Sequence, residues 1–169
     1  MTRFADSPTI EAATSINAPV ADVWTLITDI NLPGRFQEEF LEANWLDSGP
    51  ALEARFAGRN ERNGRSWETI SWVTAYDPLR EFGWSVSDRD NPGATWTYYL
   101  EENGDATELR FRRVLGPGPS GVTSMIERHP EQEEEIIAAR DEEQRANMTA
   151  VLEGIRALAE EQRADSDNR

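Results

Sequence analysis

Polar and apolar residues alternate through the middle of the chain, whereas near both ends apolar residues recur at three- and four-residue steps. Over Thr9–Asn17 the alternation puts Ile10, Ala12, Thr14 and Ile16 on one face, which predicts a strand. Ala18-Pro19 ends it, and Pro19 suits the first turn of a helix reaching about Ile30. In that helix Val20, Val23, Trp24, Ile27 and Ile30 form one buried stripe. Asn31-Leu32-Pro33-Gly34 breaks the helix, and a second short helical turn is expected over Arg35–Glu39.

From Phe40 to Leu115 the pattern predicts six strands separated by turn residues: Phe40–Asp47, Ala51–Arg59, Arg65–Tyr76, Arg80–Ser87, Ala94–Glu101 and Thr107–Leu115. Asn63-Gly64 and Asn103-Gly104 are two-residue hairpin signals, because a type I′ turn needs positive φ at both central positions. Short hairpins between successive strands mean an antiparallel meander, and the first strand brings the sheet to seven. Gly116–Gly121 reads as a flexible connection. Beyond it a long helix is expected to start near His129-Pro130-Glu131, with Ile137, Gln144, Met148, Val151, Leu152 and Ile155 at helical spacing. Residues 1–169 read as a single domain, with 1–8 and 163–169 as frayed ends.

This order gives an α+β fold in which one long helix must cover one face of a seven-stranded sheet. An antiparallel sheet buries one face and solvates the other. A single helix cannot fill the space beneath a sheet that wide, so a curved sheet leaves an internal void. Alternation suggests the lining: Phe82 with Trp84, Trp96 with Tyr98 and Leu100, Leu109 with Phe111, and Ala54 with Phe56. Strand Arg65–Tyr76 stays ambiguous. Trp67, Thr69, Ser71 and Val73 compete with Ile70, Trp72 and Tyr76, and a bulge would put Trp67 and Trp72 on one side. The candidate ligand-binding residues are therefore Phe56, Trp67, Trp84, Trp96, Tyr98, Phe111, Met148 and Leu152.

Ser15-Ile16-Asn17-Ala18-Pro19-Val20-Ala21-Asp22-Val23-Trp24, followed by Thr28-Asp29, resembles the opening of the START-type helix-grip (SRPBCC) superfamily. Arg55–Asn60, Val73–Pro78, Thr95–Leu100 and Leu152–Arg156 extend the resemblance, which is to the polyketide cyclase/dehydrase and lipid-transport branch and covers nearly the whole chain. It implies a helix-grip fold: a curved seven-stranded antiparallel sheet around a long C-terminal helix, with two short helices after strand 1. In the resembling cyclases, acid–base work inside the cavity folds and dehydrates a poly-β-keto chain. None of their catalytic residues maps onto a matching motif here, so the resemblance assigns no catalytic residue.

Composition narrows the remaining choices. The formal charge is −15, and all 17 basic residues are arginine. A chain this acidic repels phosphate backbones and anionic lipid surfaces, so nucleic acid is not an expected partner. No apolar run approaches the roughly 18 residues of a membrane span, and Met1–Asp6 lacks the apolar core of a signal peptide. The expected location is the cytoplasm, as a monomer or homodimer. With no cysteine and one histidine, no transition-metal set is expected, and no glycine-rich phosphate loop points to a nucleotide cofactor.

Among titratable groups, His129 has the natural pKa for a general base but sits in a connecting segment, where exposure is the rule. Arg112 and Arg113 are adjacent and point to opposite faces, so at most one enters the cavity; surface ion pairing is the default for both. Two functional classes follow. One is binding of a small hydrophobic, polyketide-, aromatic- or lipid-like molecule, with cyclisation or dehydration of that ligand as its enzymatic form. The other is a protein-interaction module, antitoxin-like or chaperone-partner, over a collapsed cavity.

Overall fold

A computed structural model describes residues 2–169. In chain order the elements are β1 (Thr9–Ile16), α1 (Val20–Ile27), β2 (Phe40–Trp45), β3 (Arg55–Arg62), β4 (Arg65–Asp77), β5 (Glu81–Val86), β6 (Ala94–Asn103), β7 (Ala106–Leu115), α2 (Gly121–Arg128) and α3 (Glu133–Asp167). The strands form one curved antiparallel sheet in the order β1-β7-β6-β5-β4-β3-β2. Helix α3 packs across its concave face against β1, β7 and α1. This is the sheet wrapped around a long helix expected from the order of elements, and the helix-grip fold that the resemblance implies.

Local chemistry sets the boundaries. α1 stops at Ile27, short of Ile30, as the Thr28 hydroxyl donates to Trp24 O at 2.8 Å and Asp29 Oδ1 accepts from Asn31 N at 2.9 Å. Asn31 then docks the following segment on the edge strand. Its Nδ2 donates to Ala43 O at 2.9 Å, and its Oδ1 accepts from Ala43 N at 2.8 Å. In place of a helical turn over Arg35–Glu39, a 3-10 turn covers Leu32–Arg35, and Gln37 Oε1 accepts from Glu39 N and Phe40 N. β3 starts at Arg55 rather than Ala51 because Ala51–Ala54 is a turn, closed by Ala54 N donating to Ala51 O at 3.1 Å.

The first hairpin has the expected register: Arg62 pairs with Arg65 around Asn63-Gly64, at φ +51° and +74°. The second is displaced by one residue. Asn103 pairs with Ala106, so the two-residue loop is Gly104-Asp105, and positive φ (+64°) falls on Gly104 alone. In β4 the register shifts between Val73 and Ala75. Trp67, Thr69, Ser71 and Val73 therefore share the concave face, and the bulge brings Tyr76 back to their side opposite Phe82. Trp72 stays on the convex face, so the bulge does not unite it with Trp67.

The segment after β7 is held by backbone bonds: Gly116 N donates to Gly93 O at 3.0 Å and Gly118 N to Pro92 O at 3.1 Å. Then comes α2, a helix separate from α3, capped by Ser120 Oγ accepting from Thr123 N at 3.0 Å. A 3-10 turn at Pro130–Gln132 leads into α3, whose first turn carries Glu133, Glu134 and Glu135 at the positive end of the dipole. Helix α3 continues to Asp167, past the expected onset of fraying at Arg163, whose Nη1 donates to Asn17 Oδ1 at 2.7 Å and to Asp105 O at 3.1 Å. At the other end Phe4 packs on a small cluster of Leu115, Ile126 and Ile137.

Candidate functional site

Between the concave face and the first half of α3 lies a cavity of about 990 Å³. Ligand sites start near 300 Å³, so this cavity is not the collapsed one that an interaction module would have. Its lining is exposed at Asn63, Arg65, Ser66 and Glu68 of the β3–β4 hairpin, at Gly121, Ser124, Met125 and Arg128 of α2, and at Asp29 after α1, and these mark where it opens.

The inner wall is aromatic because strand register stacks rings from neighbouring strands. Trp84 of β5 stands opposite Trp96 of β6, and Phe82 opposite Tyr98; Tyr98 in turn faces Phe111 of β7. Trp84 is the hub, with ring centroids 5.6 Å from Phe82, 6.0 Å from Phe56 and from Tyr98, and 6.3 Å from Phe111. Trp96 lies 5.3 Å from Phe111, and Tyr98 stacks on Phe111 at 4.1 Å with a 10° interplanar angle. Such pairs each contribute about 0.5–1.5 kcal/mol beyond burial, so the wall is stiff.

Polar atoms interrupt this wall. Gln144 of α3 is 7% exposed and borders the cavity, and its Oε1 is buried without a partner. Among the described residues none hydrogen-bonds to the Tyr98 hydroxyl, nor to the side chains of Asn60, Thr69, Ser71 and Asn147, all of which border the cavity. Burial pushes the Tyr98 hydroxyl well above the usual tyrosine range, so it stays protonated.

Ion pairs fix the frame around the cavity. Arg140 of α3 donates to Glu39 at 2.9 Å and to Glu143 at 3.0 Å, and Arg62 at the hairpin tip pairs with the same Glu143. This network ties hairpin, helix and the segment before β2 together. Burial pulls the Arg140 guanidinium down, but its bonds to Glu39 and Glu143 outweigh that and hold it above its ordinary value. Deeper in, Arg113 of β7 is 0% exposed and pairs with Asp141 of α3, leaving its Nε and Nη1 without partners. Desolvation lowers its pKa against the pull of Asp141. Surface pairing, the default for both arginines, therefore holds for Arg112, which bonds Glu11, and fails for Arg113.

Of the residues singled out from sequence, Phe56, Trp67, Trp84, Trp96, Tyr98, Phe111 and Met148 border the cavity; Trp67 stands near its mouth. Leu152 does not border it. One turn beyond Met148, it is buried in the main core. His129 is exposed where α2 ends, with Nδ1 3.9 Å from Glu131, and is not part of the lining. Sequence reasoning missed Gln144 as a cavity residue and the whole contribution of α2. The signal for α2 was Ser120 three residues before Thr123, followed by Met125 and Ile126 at helical spacing from Val122.

The family model for polyketide cyclase / dehydrase and lipid transport matches residues 7–160. The chain belongs to this family. Among solved structures, a polyketide-cyclase-like protein of Corynebacterium glutamicum, determined in solution by NMR, is 29% identical, with 95% of this chain and 94% of that one covered and a TM-score of 0.65. A di-domain aromatase/cyclase of the steffimycin biosynthetic pathway is 17% identical at TM-score 0.69; 92% of this chain covers 51% of that protein. A protein of Thermus thermophilus is 12% identical at TM-score 0.61, over 89% of this chain and 95% of that one. Among curated proteins none matches the chain. The latter two structures share the fold. Among the described residues of this polyketide cyclase / dehydrase family member, no helix is long and apolar enough to cross a membrane.

Proposed function

We propose that this family member binds one small, largely apolar molecule bearing oxygen atoms, of polyketide, aromatic or lipid-like type, inside the cavity. The observation that carries the reading is the pairing of an aromatic wall with unpartnered polar atoms in a void of about 990 Å³. A core built only for stability would close over its rings and satisfy its polar groups. Here flat rings at Trp84, Trp96 and Phe111 offer stacking faces, while the Tyr98 hydroxyl can donate to a ligand oxygen and Gln144 Oε1 can accept from a ligand hydroxyl.

The enzymatic form of this reading is cyclisation or dehydration of the bound chain. It would use Tyr98 as a hydrogen-bond donor to a carbonyl oxygen, since burial keeps that hydroxyl protonated. Native mass spectrometry of protein purified from its own host tests the binding claim. The expected result is a non-covalent organic adduct that is lost on denaturation. A protein found only at its sequence mass, and unable to enhance the emission of the neutral apolar dye phenylnaphthylamine, refutes it.

A further inference from the structure

Eleven of the 17 arginines lie within ion-pair distance of a carboxylate. Only two of the other six, Arg65 and Arg128, border the cavity. They come from different elements, β4 and α2. Arg65 starts β4 and pairs directly across the hairpin with Arg62. Alternation puts both on the concave side, since Arg62 follows Phe56, Gly58 and Asn60, and Arg65 precedes Trp67, Thr69 and Ser71. Like charges directly opposite in a hairpin are destabilising. Glu143 relieves Arg62, and among the described residues none relieves Arg65. Arg128 spends its Nε on Ser124 O at 3.1 Å, and its terminal nitrogens bond to no described residue.

In a chain with 32 carboxylates, two exposed guanidinium groups without an acid partner at one cavity mouth call for an anion. Nearby acids do not fill that role. Glu39 and Glu143 are taken by Arg140 and Arg62; Glu68 also borders the cavity, but it is not within ion-pair distance of Arg65 or Arg128, and alternation turns its side chain away from those of Trp67 and Thr69. We infer that the ligand is an organic anion, its apolar body against the aromatic wall and its anionic group held at the mouth by Arg65 and Arg128. Guanidinium forks suit this, since they bond carboxylate and phosphate oxygens in pairs. The inference rests on the cavity-binding reading and adds the charge and its place.

The test compares two dyes that share their rings, anilinonaphthalene sulfonate and neutral phenylnaphthylamine, by fluorescence titration. In the wild-type protein, sulfonate binding should weaken with salt and phenylnaphthylamine binding should not. The double variant Arg65→Gln/Arg128→Gln should raise the sulfonate Kd roughly tenfold, shift the neutral dye less than about twofold, and lose the salt dependence. Both side chains are exposed, and retained binding of the neutral dye shows that the variant is folded. Displacement by decanoate and by decyl phosphate, with decanol as neutral control, distinguishes a carboxylate from a phosphate head group. Equal weakening of both dyes, no weakening of either, or decanol displacing as well as the two anions overturns the anionic mouth while leaving the cavity reading intact. If neither dye binds the wild-type protein, both fail together.

Discussion

Replacing Gly154 by alanine inside α3 should destabilise the protein, although propensity alone says the opposite. Alanine in a helix interior is favoured over glycine by about 1 kcal/mol. A Cβ at Gly154, however, would fall against the Phe36 ring, meeting Cγ as well as both Cδ atoms. Because Cγ moves only with χ1, no ring flip clears it; Phe36 must leave its rotamer or the segment after the 3-10 turn at Leu32–Arg35 must move. Overpacking of this kind costs about 1–3 kcal/mol. The net expectation is a loss of up to about 2 kcal/mol, or several degrees in Tm for a chain of this length. Removing the ring changes the sign. In a Phe36→Ala background, Gly154→Ala should stabilise by about 1 kcal/mol, giving a coupling of about 1–3 kcal/mol in a double-mutant cycle. Urea denaturation of the four proteins measures it. A single Gly154→Ala variant more stable than wild type, or a sign that survives loss of the ring, refutes the packing argument.

Three further outcomes follow from the core. Tyr98 ionises later in the folded state than in the unfolded chain, so its contribution is intact below about pH 10 and declines above it; stability should fall by about 1 kcal/mol more between pH 10 and 11 in wild type than in Tyr98→Phe, and parallel curves would disprove this. Asp141→Ala should cost about 3 kcal/mol or more by leaving the Arg113 guanidinium buried and unpaired, whereas Arg113→Met should cost distinctly less; equal losses in chemical denaturation would contradict the account. Trp96→Ala should cost about 2–3 kcal/mol, the low side for a tryptophan, because the side chain is half-buried with the cavity beside it, and should weaken phenylnaphthylamine binding; unchanged dye affinity would remove Trp96 from the site.

Much of the fold could be read in advance because period-two alternation and Asn-Gly turns act over a few residues. Asn63-Gly64 formed where its backbone preferences required. Asn103-Gly104 slipped by one, since a lone glycine with positive φ satisfies a neighbouring two-residue loop as well. Alternation also assigns a face without saying where a bulge resets it, which is why Trp67 and Trp72 could not be separated until the register shift appeared at Val73–Ala75. A face, in turn, carries no information about depth. Met148 and Leu152 lie one turn apart on the same helix stripe, yet only Met148 reaches the cavity, because Leu152 already lies over the filled core. Arg113 was misread for a related reason. Nothing local to β7 shows that Asp141, 28 residues on, will meet it.

Helix α3 joins two jobs that pull in different directions. Its second half supplies Leu152, Ile155 and Ala159 to a core shared with Ile16, Val23 and Leu109, where almost no side-chain surface remains exposed. That half anchors the helix, and large-to-small changes there should act on stability, at about 2–5 kcal/mol for an aliphatic residue. The first half leans over the void. It is held by ion pairs at its flanks, Arg140 to Glu39, Glu143 to Arg62 and Asp141 to Arg113, and by Ile137 in the small cluster with Leu115 and Ile126. Leaving Gln144 and Asn147 above an unfilled space sacrifices packing and hydrogen bonds that a purely structural helix would make. The ion pairs hold the helix at a fixed height over the sheet, which keeps the cavity open at that cost. A ligand that fills the space recovers both the contacts and the hydrogen bonds, so the first half of α3 is where binding and stability should be most strongly coupled.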